Sequence, residues 1–207
     1  MMHSDTELLR AWRSGDKARG QELCVRYFDA VARFFANKLD DQIPDLVQET
    51  FLALVQGRDR IKDESRFRPY LFGIAYNVLK KHLKRRYQLP EDYLTRSLHD
   101  IAPGAETMLR DVEHLRLLKA ALRRIPLDLQ VAIELRYWEK MSSSEISQVL
   151  GIPASTVRAQ VSRARVLLEE ALRSETAKAE VVESTISNLD GWAEQLREVV
   201  HQANVAS

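Results

Sequence analysis

The sequence predicts an all-α chain: two small helical domains joined by a flexible linker, with a helical extension at the C-terminus. Three observations predict it. Apolar residues recur three and four apart through almost the whole chain, which is the helical period. Only 7 glycines and 6 prolines occur in 207 residues, too few turn-formers for a sandwich or barrel. The periodicity lapses once, from Tyr87 to Ala105, where Pro90, Pro103 and Gly104 punctuate a mildly acidic stretch, as a linker would.

Taken in order, Asp5 is positioned to cap a first helix carrying Leu8, Leu9 and Trp12. A second helix runs from about Gly20 to Leu39, with Leu23, Tyr27, Phe28, Val31, Phe34 and Phe35 on its apolar side. Cys24 shares that face as a small core filler. It is the sole cysteine, so no intrachain disulfide forms and a cysteine zinc site has no basis. Pro44 suits the start of a third helix. That helix buries Leu46, Val47, Phe51, Leu54 and Val55 and turns Asp45, Gln48 and Glu49 to another face.

A charged loop, Arg58 to Arg66, leads to a long helix opened by Pro69, with Leu71, Ile74, Ala75, Val78 and Leu79 inward. Lys80, Lys81, Lys84, Arg85 and Arg86 crowd its end. Cations stabilise a helix C-terminus, but five in seven residues exceed that need and point to a polyanion partner. Beyond the linker, a helix through Leu109, Val112, Leu115, Leu118 and Leu122 stops at Pro126. Helices over about Asp128–Glu139, Ser143–Leu150 and Pro153–Arg173 follow. An acidic tail then repeats Val182, Ile186, Leu189, Trp192, Leu196 and Val199 close to heptad spacing.

Several function classes are excluded. No run approaches the ~20 apolar residues of a membrane span, and the N-terminus lacks a signal-peptide core, so a cytoplasmic chain is expected. The five histidines show no ligand spacing, no phosphate-binding glycine loop occurs, and no nucleophile has an evident base. Neither an enzyme nor a metal or cofactor is expected.

The most informative segment is SSSEISQVLGIPASTVRAQVSRAR from Ser142. Ser142 and Glu145 form a capping box. Gly151 follows the helix where a left-handed residue is wanted, and Pro153 opens a second helix. This is a helix-turn-helix, whose second helix enters the major groove. Val157, Val161 and Ala164 face inward by spacing, leaving Ser155, Thr156, Arg158, Ala159, Arg163 and Arg165 outward. Arginine binds guanine bidentately, and a helix start binds phosphate.

Here the chain resembles a known family. Ile125–Leu172 is similar to region 4 of a sigma-70 family factor, and DLVQETFLALV (Asp45–Val55) with FRPYLFGIAYNVLKKHLKRR (Phe67–Arg86) is similar to region 2. Their order, with no region 3 between, resembles the extracytoplasmic-function (ECF, group 4) sigma factors. The resemblance implies region 2 at residues 1–87, a linker at 88–107, region 4 at 108–173 and a C-terminal extension at 174–207. It implies core RNA polymerase and promoter DNA as partners, with an anti-sigma factor or a Ser/Thr kinase as possible regulators. Asp45, Gln48, Glu49 and Phe51 would meet the β′ clamp helices, and region 4's apolar surface the β flap. The loop Lys62–Phe67, with Phe67 itself, and Asn77 would capture the melted −10 strand. Lys80, Lys81, Lys84 and Arg85 would hold its phosphates. The outward residues of the second helix would read the −35 element. The alternative is a helix-turn-helix regulator acting without polymerase.

The chain departs from the family pattern twice. An acidic cluster usually precedes the LVQE run, but Gln42, Ile43 and Pro44 stand here and only Asp45 keeps its charge. Either Asp45 and Glu49 suffice, or phosphorylation of Thr50 or Ser65 supplies the missing charge. The chain also continues past Leu172, and that tail is expected to be regulatory.

Overall fold

The structure is a computed structural model that describes residues 3–90, 92–101, 113–175, 179–189 and 191. Ten α-helices and three 3-10 turns make up the described residues, with no strand among them. An N-terminal bundle holds α1 (Asp5–Arg13), α2 (Lys17–Ala36), α3 (Ile43–Gly57) and α4 (Phe67–Tyr87). A C-terminal bundle holds α6 (Glu113–Arg124), α7 (Leu127–Tyr137), α8 (Ser143–Leu150), α9 (Ala154–Glu175) and α10 (Ala179–Ser187), and the four-residue α5 (Leu98–Ile101) lies between.

Local chemistry sets the helix ends. Ser4, not Asp5, caps α1, forming a capping box with Glu7. Asp5 instead pairs with Arg26 at 2.7 Å and accepts a hydrogen bond from the Tyr27 hydroxyl, tying α1 to α2. Close packing needs Gly20, because a Cβ there would fall 2.4 Å from the Trp12 ring nitrogen. The middle of α4 is wrapped on several sides: Leu71, Phe72, Ala75, Tyr76 and Leu79 are all buried.

The segment expected as a flexible linker is packed where it is described. Tyr93, Leu98 and Ile101 are buried, and the Tyr93 hydroxyl donates to the Lys80 carbonyl at 3.1 Å. The Leu127 amide donates to the Arg96 carbonyl at 3.0 Å. Apolar side chains among the prolines find a shared core, which overrides the turn chemistry. Residues 102–107 of the linker, with Leu109 and Val112 of the expected helix, lie outside the described residues, as do Trp192, Leu196 and Val199 of the tail.

The two bundles are docked to each other, and α7 shows why. Leu127, Val131 and Leu135, spaced four apart, join the N-terminal core, while Leu129 and Ile133 join the C-terminal one. A helix apolar on two sides belongs inside a structure, not on its surface. The helix-turn-helix adds Ile146, Val149 and Val157 to the N-terminal core, with α8 lying on α4.

Between these apolar contacts runs a buried ionic seam. The Lys38 ammonium, fully out of water, meets Glu134 at 2.6 Å and donates to the Phe34 carbonyl at 2.9 Å. Asn37 and Gln130 each donate to Glu134, at 3.2 and 2.8 Å. Arg33 meets Glu139 at 2.8 Å, and Asp40 receives Arg123 at 3.0 Å with Lys119 at 3.7 Å. Burial pushes the Lys38 ammonium pKa down, with Glu134 opposing it. Such a seam holds only while every member stays paired.

Candidate nucleic-acid interface

The helix-turn-helix forms as the residues dictate. Ser142 accepts from the Glu145 amide and Glu145 from the Ser142 amide. Gly151 sits at φ 70, the left-handed turn an L side chain resists. Val157 and Ala164 are fully buried and Val161 partly. Ser155, Thr156, Arg158, Ala159, Arg163 and Arg165 are all exposed on α9. A cleft of about 240 Å³ runs beside this row, walled by Thr95, Pro126, Asp128 and Leu129 and floored by Thr156, Ala159, Gln160 and Arg163. The packed linker segment thus borders the face that would meet DNA.

The second cationic surface is the end of α4. Asn77, Lys81, Lys84 and Arg85 are exposed and Lys80 half-exposed, its ammonium 4.4 Å over the Tyr76 ring. Phe67 corrects the sequence reading. It is 1% exposed and packs on Tyr27 with ring centroids 5.4 Å apart, so it is a core residue and offers DNA no ring. His82, on the same basic helix end, is buried too, with neither ring nitrogen hydrogen-bonded. Burial, then Arg86 and Arg85, holds its pKa below the ordinary value.

Before α4, the loop folds over a pocket of about 300 Å³ lined by Arg60, Ile61, Lys62, Asp63, Arg66, Pro69, Tyr70 and Gln148. Three cations and an aromatic ring suit an unstacked nucleotide. Gln148 comes from α8, so the C-terminal bundle covers one rim. Asp63 shapes the loop, accepting from the Ser65 amide at 3.0 Å, the Ser65 hydroxyl at 2.6 Å and Arg66 at 3.0 Å.

A third surface is apolar. Val25 and Phe28 of α2 and Leu52 and Val55 of α3 are exposed, at 69%, 46%, 56% and 40%. With Cys24, Val47, Gln48 and Phe51 they line a groove of about 700 Å³. Phe28 and Phe51 stack there, centroids 6.2 Å apart. The sequence reading put Phe28, Phe51 and Val55 in the core; Phe28 and Val55 are open to solvent and Phe51 is half-buried. Cys24 is a half-buried free thiol at this groove, its pKa raised by burial. Asp45 and Gln48 are exposed beside it, and Glu49 meets Lys81 at 3.2 Å.

The acids upstream of α3 are engaged elsewhere. Asp40 belongs to the ionic seam, and Asp41 pairs with Arg86 at the end of α4. Thr50 is also corrected: it is 0% exposed and its hydroxyl donates to the Leu46 carbonyl at 2.8 Å, so it presents nothing to a kinase. Ser65 is exposed, but its amide and hydroxyl both donate to Asp63 in the loop before α4, and it does not lie on α3.

Comparison with known proteins follows the same division. The family model Sigma-70 region 2 matches residues 23–88, and Sigma-70, region 4 matches residues 115–168. The chain is similar to the ECF RNA polymerase sigma-E factor of Haemophilus influenzae, 32% identical over 82% of this chain and 96% of that protein. It is similar to the RNA polymerase sigma-H factor of Pseudomonas aeruginosa, 28% identical over 82% and 94%. Among solved structures, CnrH in complex with the cytosolic domain of CnrY aligns with a TM-score of 0.59 at 22% identity, over 83% of this chain and 99% of that one. The sigma factor RpoE of Bartonella quintana, in complex with the anti-sigma factor NepR, aligns at 0.58 and 22% identity, over 78% and 99%.

Proposed function

Because the chain belongs to the ECF group of the sigma-70 family and is an RNA polymerase sigma factor, we propose that its docked form is a resting state that must open for initiation. Residues 1–87 act as region 2 and 108–173 as region 4. The observation that carries the reading is α7, buried between both bundles with the ionic seam beside it. Promoter elements at −10 and −35 are about 25 base pairs apart, roughly 85 Å of duplex. A compact chain of this length has a radius of gyration of about 17 Å and cannot reach both. Drawn out, the 20 residues from 88 to 107 reach about 70 Å, enough to join two separated readers.

In the open chain Arg158 and Arg163 read the −35 duplex from α9, with Ser155, Thr156, Ala159 and Arg165 alongside. Asn77 and the loop pocket take the unstacked −10 strand, and Lys80, Lys81, Lys84 and Arg85 neutralise its phosphates. The polymerase clamp docks on the α2–α3 groove, where apolar area from Val25, Phe28, Leu52 and Val55 stands in for the missing acids around Asp45, Gln48, Glu49 and Phe51. Phosphate on Ser65 would add negative charge to the loop that carries Arg60, Lys62 and Arg66 and weaken DNA capture, a sign opposite to restoring the clamp contact. An anti-sigma factor would act by holding the docked form. The chain works by binding and not by catalysis, in the cytoplasm with polymerase and DNA. The apolar docking groove disfavours a regulator acting without polymerase.

Transcription in vitro tests the site assignment. With core polymerase and a cognate promoter, Arg158→Ala is expected to cut transcript about 10- to 100-fold, one lost bidentate contact. Asn77→Ala is expected to leave −35 binding intact while reducing open complexes. If transcript is unchanged by both, the two readers lie elsewhere.

A further inference from the structure

The helix α10 lies beyond the region 4 match. The region 4 match ends at Leu168, and 82% of this chain spans 96% of the Haemophilus relative. Yet α10 is seated on region 4. It packs on α9, and its Val182 (1% exposed), with Leu189 (3%) just past its end, shares one apolar cluster with Leu118 and Leu122 of α6 and Leu168 and Leu172 of α9. Arg124 pairs with Glu175 and pins the end of α9 to α6. A region 4 lacking this helix would expose a groove between α6 and α9, shaped and greased for one amphipathic helix.

Building on the sigma-factor reading, we infer that α10 is an internal plug for a polymerase-docking groove on region 4, displaced by an amphipathic helix of core polymerase. The occupant must be helical because the groove is filled here by a helix. It must be apolar along one face because the cluster that Val182 completes is built of apolar side chains. The plug acts on the partner face of region 4 and not on its DNA face, since Arg158 and Arg163 stay exposed with α10 in place. If the groove is plugged in 90–99% of free molecules, the apparent affinity for the partner falls about 10- to 100-fold.

Hydrogen exchange on the full-length chain reads this directly. Amides of residues 179–189 are expected to be protected in the free protein and to lose protection when core polymerase binds. Full-length Val182→Asp/Leu189→Asp, which leaves the groove itself intact, is expected to bind core polymerase about 10-fold tighter or more. Protection retained in the complex, or unchanged affinity of the double variant, overturns the plug while leaving the sigma-factor reading standing. Failure of the wild-type chain to bind core polymerase overturns that reading and the plug with it.

Discussion

Glu134→Ala is expected to undock the two bundles. The substitution removes the carboxylate paired with the Lys38 ammonium, which lies fully out of water and would keep the Phe34 carbonyl and ring and the weaker pull of Glu139. Asn37 and Gln130 lose the acceptor they share. Stripping one partner from a buried ion pair costs about 3–5 kcal/mol, a shift of about two to three and a half orders of magnitude in a docking equilibrium. Opening relieves the cost by returning Lys38 to water, so the energy appears as separation and not as unfolding of either bundle. Small-angle scattering reads it as a radius of gyration well above the compact value of about 17 Å. Lys38→Met combined with Glu134→Gln should recover much of the loss, because no buried charge is left unpaired. An unchanged radius in Glu134→Ala would mean that Leu127, Val131 and Leu135 hold the bundles together without the seam.

The second large effect concerns polymerase docking. Phe28 and Leu52 are 46% and 56% exposed, so aspartate at either position costs the fold little. Each lies in the α2–α3 groove where a partner helix would bury it. Residues of this kind contribute about 2 kcal/mol or more when they anchor an interface. Phe28→Asp/Leu52→Asp is therefore expected to weaken binding to core polymerase about 100-fold or more with an unchanged melting temperature. Unaltered affinity would move the docking surface away from the groove.

The DNA reader was legible in the sequence because its signals are local. The Ser142–Glu145 capping box, the turn at Gly151 and the inward Val157 and Ala164 all lie within 23 residues and appear as read. The docked state was not legible, because its determinants pair across nearly 100 positions. Lys38 meets Glu134, and Asp40 meets Arg123; nothing in the neighbourhood of either residue announces burial. One signal was present: Leu127, Val131 and Leu135 with Leu129 and Ile133 make two apolar stripes on one short helix, more than a single core needs. Periodicity also says which face is apolar but not what covers it. Hence Phe28 and Val55 were assigned to a core they do not join, and Phe67 and Thr50 to roles their burial forbids. Tyr93, Leu98 and Ile101 were hidden by their proline-flanked setting, though three large apolar residues rarely stay in solvent.

A chain that is docked at rest must open when it works. The direct measurement is the distance between dyes at Asp59→Cys and Glu170→Cys, exposed sites on the two bundles, in a Cys24→Ser background, first alone and then with core polymerase and promoter DNA. A short distance in the free chain that lengthens by tens of ångströms in the transcribing complex, toward the roughly 85 Å between promoter elements, is the predicted result. A transcribing complex that keeps the short distance would contradict it.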